Sequence, residues 1–96
     1  MQNMTENDNQ NDKYIIKIAS KRIEKELDSL PQNEYNKVKS KIKALASNPL
    51  PIGIKKLSEK VHRIRIGNYR VIYSIFDKEK LIIIAAVKKR AEDTYK

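Results

Sequence analysis

Gly67 and Asn68 separate two runs rich in β-branched and aromatic residues, Val61 to Ile66 and Tyr69 to Phe76. A two-residue spacer of this type between such runs is a strong signal for a β-hairpin. So short a turn also fixes the register. Ile66 must oppose Tyr69, Arg65 opposes Arg70, and Arg63 opposes Ile72. Successive side chains of a strand point to opposite faces. Arg63, Arg65, Arg70 and Ile72 therefore share one face, while His62, Ile64, Ile66, Tyr69, Val71 and Tyr73 share the other. The second face is mainly apolar and suited to packing.

The first face has an electrostatic problem. Arg65 directly across from Arg70 is unfavourable, because like charges opposite one another destabilise a strand pair. No acidic residue lies between Val61 and Phe76 to relieve it. A bound anion would, and guanidinium groups suit phosphate because each can donate two parallel hydrogen bonds to its oxygens. The same pattern also fits an exposed strand face whose charges splay into water.

The rest of the chain supplies layers for this hairpin. Tyr14 to Ile18 reads as a first strand, short and rich in β-branched residues. Ser20 can cap a helix over Ser20 to Leu30, with Ile23, Leu27 and Leu30 at helical spacing. Pro31 stops or bends it. A second helix over Asn33 to Ala46 places Tyr35, Val38, Ile42 and Leu45 on one face. Ser47 to Lys60 is a long connection broken by Pro49, Pro51 and Gly53. Leu81 to Val87 is a last strand after the turn at Asp77 to Lys80. The order β-α-α-β-β-β predicts an α+β fold, a helical hairpin packed on a mostly antiparallel sheet.

Charge narrows the partners. Residues 1–12 contain Glu6, Asp8 and Asp12 and no lysine or arginine. The other 84 residues hold all 21 basic and 9 acidic residues, a net charge of +12. A field that positive favours polyanions, such as nucleic acid or the ribosome, an anionic lipid, or an acidic protein. On the second helix Lys37 and Lys41 are four residues apart, as are Lys39 and Lys43, a spacing that is slightly unfavourable. The ribbon fits phosphates or an ordinary solvated face. The polar tail over residues 1–12 cannot bury enough surface to offset its ordering and is expected to be disordered, leaving residues 13–96 as the domain.

Several chemistries are excluded or disfavoured. The chain has no cysteine, so neither a disulfide nor a thiolate metal site can form. A single histidine argues against zinc, and no metal or cofactor is expected. The longest apolar run, Leu81 to Val87, is far too short to span a bilayer, and the N-terminus is unlike a signal peptide, so the cytoplasm is the expected location. His62 falls on the apolar face, where a hydrogen-bonded structural histidine is expected rather than a general base. After the last strand come Lys88, Lys89 and Arg90, then Tyr95. Arg90 would be a fourth cation of the patch if that strand lies beside the hairpin, and Tyr95 a stacking or proton-transfer group or simply part of a frayed end.

The run from Arg63 to Tyr73 (RIRIGNYRVIY) resembles the hairpin of the RelE/ParE toxin superfamily. So do Asn48-Pro49 followed by Lys55-Lys56-Leu57, and the ending Lys89 to Tyr95 (KRAEDTY). The similarity covers about Tyr14 to Tyr95. It implies the small toxin fold and, for the RelE branch, cleavage of mRNA in the ribosomal A site, silenced by a cognate antitoxin. The resemblance places Arg65, Arg70, Arg90 and Tyr95 in catalysis. Arg63, Lys37, Lys41, Lys55, Lys56, Lys88 and Lys89 would contact RNA or the ribosome. Lys88 or Lys89 stands where many relatives carry histidine, which leaves the general base unassigned. A lysine made less basic by cationic neighbours, or Tyr95, would serve. The alternative is a ParE-like toxin that inhibits DNA gyrase by binding and has no nuclease activity. A nucleic-acid-binding module without catalysis is a third reading.

Overall fold

The computed structural model describes residues 13–89. Its elements are β1 (Ile15–Ile18), α1 (Lys21–Asp28), α2 (Gln32–Leu45), β2 (Lys55–Lys56), β3 (Val61–Ile66), β4 (Tyr69–Phe76) and β5 (Leu81–Lys89). The strands form one five-stranded sheet in the order β1-β5-β4-β3-β2. Only β1 runs parallel to its neighbour, pairing Ile15 with Leu81 through Ile18 with Ile84. The α+β layer arrangement anticipated from the sequence is what forms.

Both helices follow from local signals. Ser20 has extended backbone, and its Oγ accepts from the Ile23 N–H at 3.4 Å, as an N-cap does. Helix α1 ends at Asp28, two residues before the Leu30 expected. Pro31 then occupies the N-cap position of α2, where its lack of an N–H costs nothing. Leu27, Val38, Ile42 and Leu45 turn inward and meet Ile64, Ile66, Tyr69, Val71, Tyr73, Ile75, Ile82, Ile84 and Val87. Fully burying one such side chain stabilises by about 1.5–3 kcal/mol. A one-residue slip of β3 or β4 would expose a whole row of them, which is why the register is so strongly held.

The β3–β4 register is the one the turn dictates, with Ile66 opposite Tyr69, Arg65 opposite Arg70 and Arg63 opposite Ile72. Gly67 has φ +60, whereas Asn68 is not among the positive-φ residues. That combination is a type II′ turn, with glycine at its first central position.

Two features went unanticipated. Strand β2, only Lys55 and Lys56, lies within the segment expected to be a loop. Two residues have no periodicity to detect, and paired lysines are what a protected sheet edge carries. The second is a β-bulge. Ile72 faces Ala86 but Tyr73 faces Ile84, leaving Ala85 as the extra residue. Ile82 and Ile84 point inward before it, and Val87 points inward after it. The bulge thus resets the side-chain alternation of β5 by one residue.

Candidate functional site

The helices cover one face of the sheet, and the cations gather on the other, at the end that carries the Gly67 turn. Arg65 of β3 opposes Arg70 of β4, which in turn opposes Lys88 of β5. One row across three strands is therefore entirely cationic. Strands lie about 4.8 Å apart, so the row spans about 10 Å. The next row holds Lys55, Arg63, Ile72 and Ala86. No acidic residue occurs in β2, β3, β4 or β5.

Lys88 joins this face only because of Ala85. Without the bulge, strict alternation from Ile84 would send Val87 outward and Lys88 into the core. Lys89, opposite Tyr69, belongs to the other face by register, and Lys56, opposite His62, does as well. The adjacent pairs Lys55–Lys56 and Lys88–Lys89 therefore each contribute one member to the arginine face. Arg90 and Tyr95 lie outside the described residues.

Arg70 is the most constrained member. It is half-buried, and its Nε has no hydrogen-bond partner among the described residues. Arg65 is exposed and Arg63 half-buried. A buried donor left without an acceptor costs about 1–3 kcal/mol. Among the described residues, Arg70 thus holds an unmet donor in the middle of a row of like charges.

Helix α2, on the opposite face of the sheet, brings Lys41 to the edge of β3 beside Arg65. Lys41, Ala44 and Leu45 line a pocket of about 180 Å³ whose far wall is Ile64 and Arg65 of β3. Lys37 is exposed one helical turn before Lys41, so the two lysines lead toward the arginines. Lys39 turns aside: its Nζ donates to the Tyr35 hydroxyl at 3.2 Å and lies 5.4 Å from the ring centre. The Asn48 and Ile52 walls of the pocket escaped the sequence reading, because they meet α2 only through the path of the loop.

His62 is 7 % exposed and stacks on Tyr73 with ring centres 5.8 Å apart. Its place on the buried face is as expected, and Nδ1 has no hydrogen-bond partner among the described residues. The Tyr73 hydroxyl donates to the Pro49 carbonyl at 2.7 Å. Burial pushes its pKa up to about 12. Tyr14 donates to Asp77 Oδ1 at 2.7 Å, and that bond raises its pKa. His62, Tyr14 and Asp77 border a cleft of about 490 Å³ at the sheet end remote from the arginines. Glu34, on α2, has a buried Oε1 without a partner among the described residues, 3.4 Å from where a β-carbon on Gly67 would stand.

Among the described residues no group of three or more His, Cys, Asp or Glu could hold a metal ion. None of the described helices is long and apolar enough to cross a membrane.

A small sheet with two helices on one face and a cationic row on the other defines a class, the small toxins of toxin–antitoxin systems. The model of the ParE toxin of the type II toxin–antitoxin system parDE matches residues 8–94. The chain is 40% identical over 89 residues to the candidate toxin RelE1 of Methanocaldococcus jannaschii, covering 88% of this chain and 97% of that protein. Its fold is similar to that in the archaeal RelE–RelB complex of Pyrococcus horikoshii, with TM-score 0.76 and 34% identity over 83% of this chain and 98% of that one. The toxin–antitoxin complex RelBE2 of Mycobacterium tuberculosis gives TM-score 0.70 and 25% identity over 83% and 94%. This chain belongs to the RelE/ParE superfamily of type II toxins.

Proposed function

We propose that this toxin is a ribosome-dependent endoribonuclease that cleaves mRNA in the A site, without a metal. The observation that carries the reading is the Arg65–Arg70–Lys88 row, a face with many donors and no carboxylate in its strands. RNA holds its own nucleophile. The 2′-hydroxyl attacks the adjacent phosphorus in line, the bond to the 5′-oxygen breaks, and a 2′,3′-cyclic phosphate forms. The protein must orient that attack and stabilise the charge that builds on the phosphoryl oxygens. Arg65 and Arg70 hold the phosphate by charge-assisted hydrogen bonds, and Lys88 adds a point charge beside them. Arg63, Lys55, Lys37 and Lys41 guide the flanking strand, and Lys56 and Lys89 contact the ribosome from the other face. By resemblance, Arg90 adds a further cation and Tyr95 assists proton transfer. Arginine is a poor base, so it does not take the 2′-hydroxyl proton.

The relatives in complexes support a protein leash, a cognate antitoxin that silences this chain. An activity directed at ribosomes belongs in the cytoplasm. The test is to induce the chain in cells and map mRNA ends against ribosome position. Cuts inside A-site codons that leave cyclic phosphates are expected, and Arg70→Ala is expected to abolish them. Cleavage of an all-deoxy substrate would sink the mechanism.

A second reading rests on the matching family model, which is that of ParE toxins. A gyrase inhibitor would arrest growth with mRNA intact and would block supercoiling by purified gyrase.

A further inference from the structure

The pocket beside Arg65 differs in character from the patch it adjoins. Its floor is apolar: Leu45 is 1 % exposed and Ile64 7 %. Its outer wall includes Ile52, fully exposed to solvent on the loop after α2. Its charged lining residues, Lys41 and Arg65, are both cationic. At about 180 Å³ it is smaller than the roughly 300–1,000 Å³ of sites for drug-sized ligands. Its volume is on the scale of one ring system rather than a whole cofactor.

Asn48 lies between this pocket and the larger cleft and lines both, so its amide is within reach as a polar edge. A side-chain amide presents a donor and an acceptor side by side, the arrangement that pairs with N6 and N7 of adenine. The backbone holds Asn48 in place from both directions. Its N–H donates to the Ala44 carbonyl at 3.1 Å, and the next carbonyl, that of Pro49, accepts from the Tyr73 hydroxyl. The amide therefore stands on an anchored backbone, which limits the ordering left for binding to the side chain.

We propose that this pocket is a nucleobase subsite that receives an unstacked base of the bound RNA and favours adenine. The inference rests on the reading of the chain as an RNA-directed protein. Arg65 belongs to both pocket and row, so a base in the pocket and its phosphate on Arg65 and Arg70 are parts of one nucleotide chain. Single-stranded RNA is read in this way, with the base splayed out against apolar side chains and its edge hydrogen-bonded. An acidic peptide would meet Lys41 and Arg65 but would leave the apolar floor and the Asn48 amide without a purpose.

The test is a titration of the isotope-labelled protein by NMR with adenosine, guanosine, cytidine and uridine monophosphates, and with inorganic phosphate. Adenosine monophosphate is expected to shift the Ala44, Asn48 and Gly53 amides saturably and most tightly. Asn48→Ala weakens that binding about tenfold, the worth of a lost hydrogen bond. Ala44→Phe, at an exposed helix position, fills the slot and removes these shifts, while inorganic phosphate still shifts Arg63 and Arg70. If phosphate alone reproduces the pattern, or Ala44→Phe leaves it intact, the subsite does not exist. If Ala44→Phe releases the antitoxin yet leaves nucleotide shifts in place, the pocket serves a protein partner and the proposal falls. Mapped mRNA ends separate the two readings. A chain that binds the nucleotide here but cuts no mRNA refutes the nuclease, whereas cutting without base preference in every variant refutes the subsite.

Discussion

Replacing Arg70 by glutamine should stabilise the fold and weaken the function at once. Arg70 sits between Arg65 and Lys88 in the cationic row. Each directly opposed like-charge pair costs about 0.2–1 kcal/mol. Removing the middle charge relieves two pairs, for a gain of about 1 kcal/mol near the centre of that range. In a domain of this size 1 kcal/mol moves the melting temperature by about 4–8 °C. Glutamine also gives up part of the arginine stem, so the comparison is with Arg70→Lys, which loses the guanidinium but keeps the charge. At 0.01 M salt the screening length is about 30 Å and the repulsion is nearly whole; at 1 M it is about 3 Å, against a strand spacing of about 4.8 Å. The advantage of glutamine over lysine should thus shrink to roughly a quarter between those salts, as exponential screening over one strand spacing requires. Thermal melts of the two variants at both salts give the answer. Affinity for an RNA blocked by a 2′-deoxy residue at the cleavage site should meanwhile fall by about 10- to 100-fold, since hydrogen bonds to charged groups are worth about 1.5–3 kcal/mol. If glutamine melts below lysine at low salt, or if the gap ignores salt, the row is not electrostatically strained and the argument for a bound anion loses its basis.

Deleting Ala85 removes the bulge but keeps Val87 inward and Lys88 outward, because Ala86 then follows Ile84 directly, so circular dichroism should show a folded chain. Deleting Ala85 and Ala86 together sends Val87 outward and Lys88 into the core; the lost burial of valine alone costs about 1.5–3 kcal/mol and an inward lysine costs more, so that chain should be unfolded or aggregated. Gly67→Ala places a β-carbon at φ +60, about 3.4 Å from Glu34 Oε1, and should lower stability by about 1–2 kcal/mol in a denaturant titration. Tyr73 should titrate near pH 12 by phenolate absorbance. Because its folded pKa lies above the ordinary value of 10, its contribution to stability is complete below pH 10 and disappears as pH rises through 12. Tyr73→Phe should lose this dependence and, by leaving the Pro49 carbonyl unpaired, cost about 1–3 kcal/mol.

The hairpin was legible because a two-residue turn leaves one register, and every pair from Ile66–Tyr69 to Arg63–Ile72 follows by counting. The helices were legible from Ser20, Pro31 and the spacing of Ile23, Leu27, Val38, Ile42 and Leu45. Lys88 was not. Its side depends on where β5 absorbs an extra residue, and the run Leu81 to Val87 is apolar at every position, so no alternation marks Ala85. The pocket at Asn48 and Ile52 was hidden for another reason. It is formed by a loop crossing the edge of β3, and nothing local in the chain encodes that crossing.

The parallel pairing of β1 with β5 bears on timing. The first strand can complete the sheet only after the last one exists, since Ile15 is held opposite Leu81. Pairings so distant in the chain form late and slowly. The cationic row also needs β5, because Lys88 is its third member. A nascent copy in which β5 has not yet been made therefore lacks both the pairing of its first strand and the complete row, so one strand finishes the fold and the charged face together.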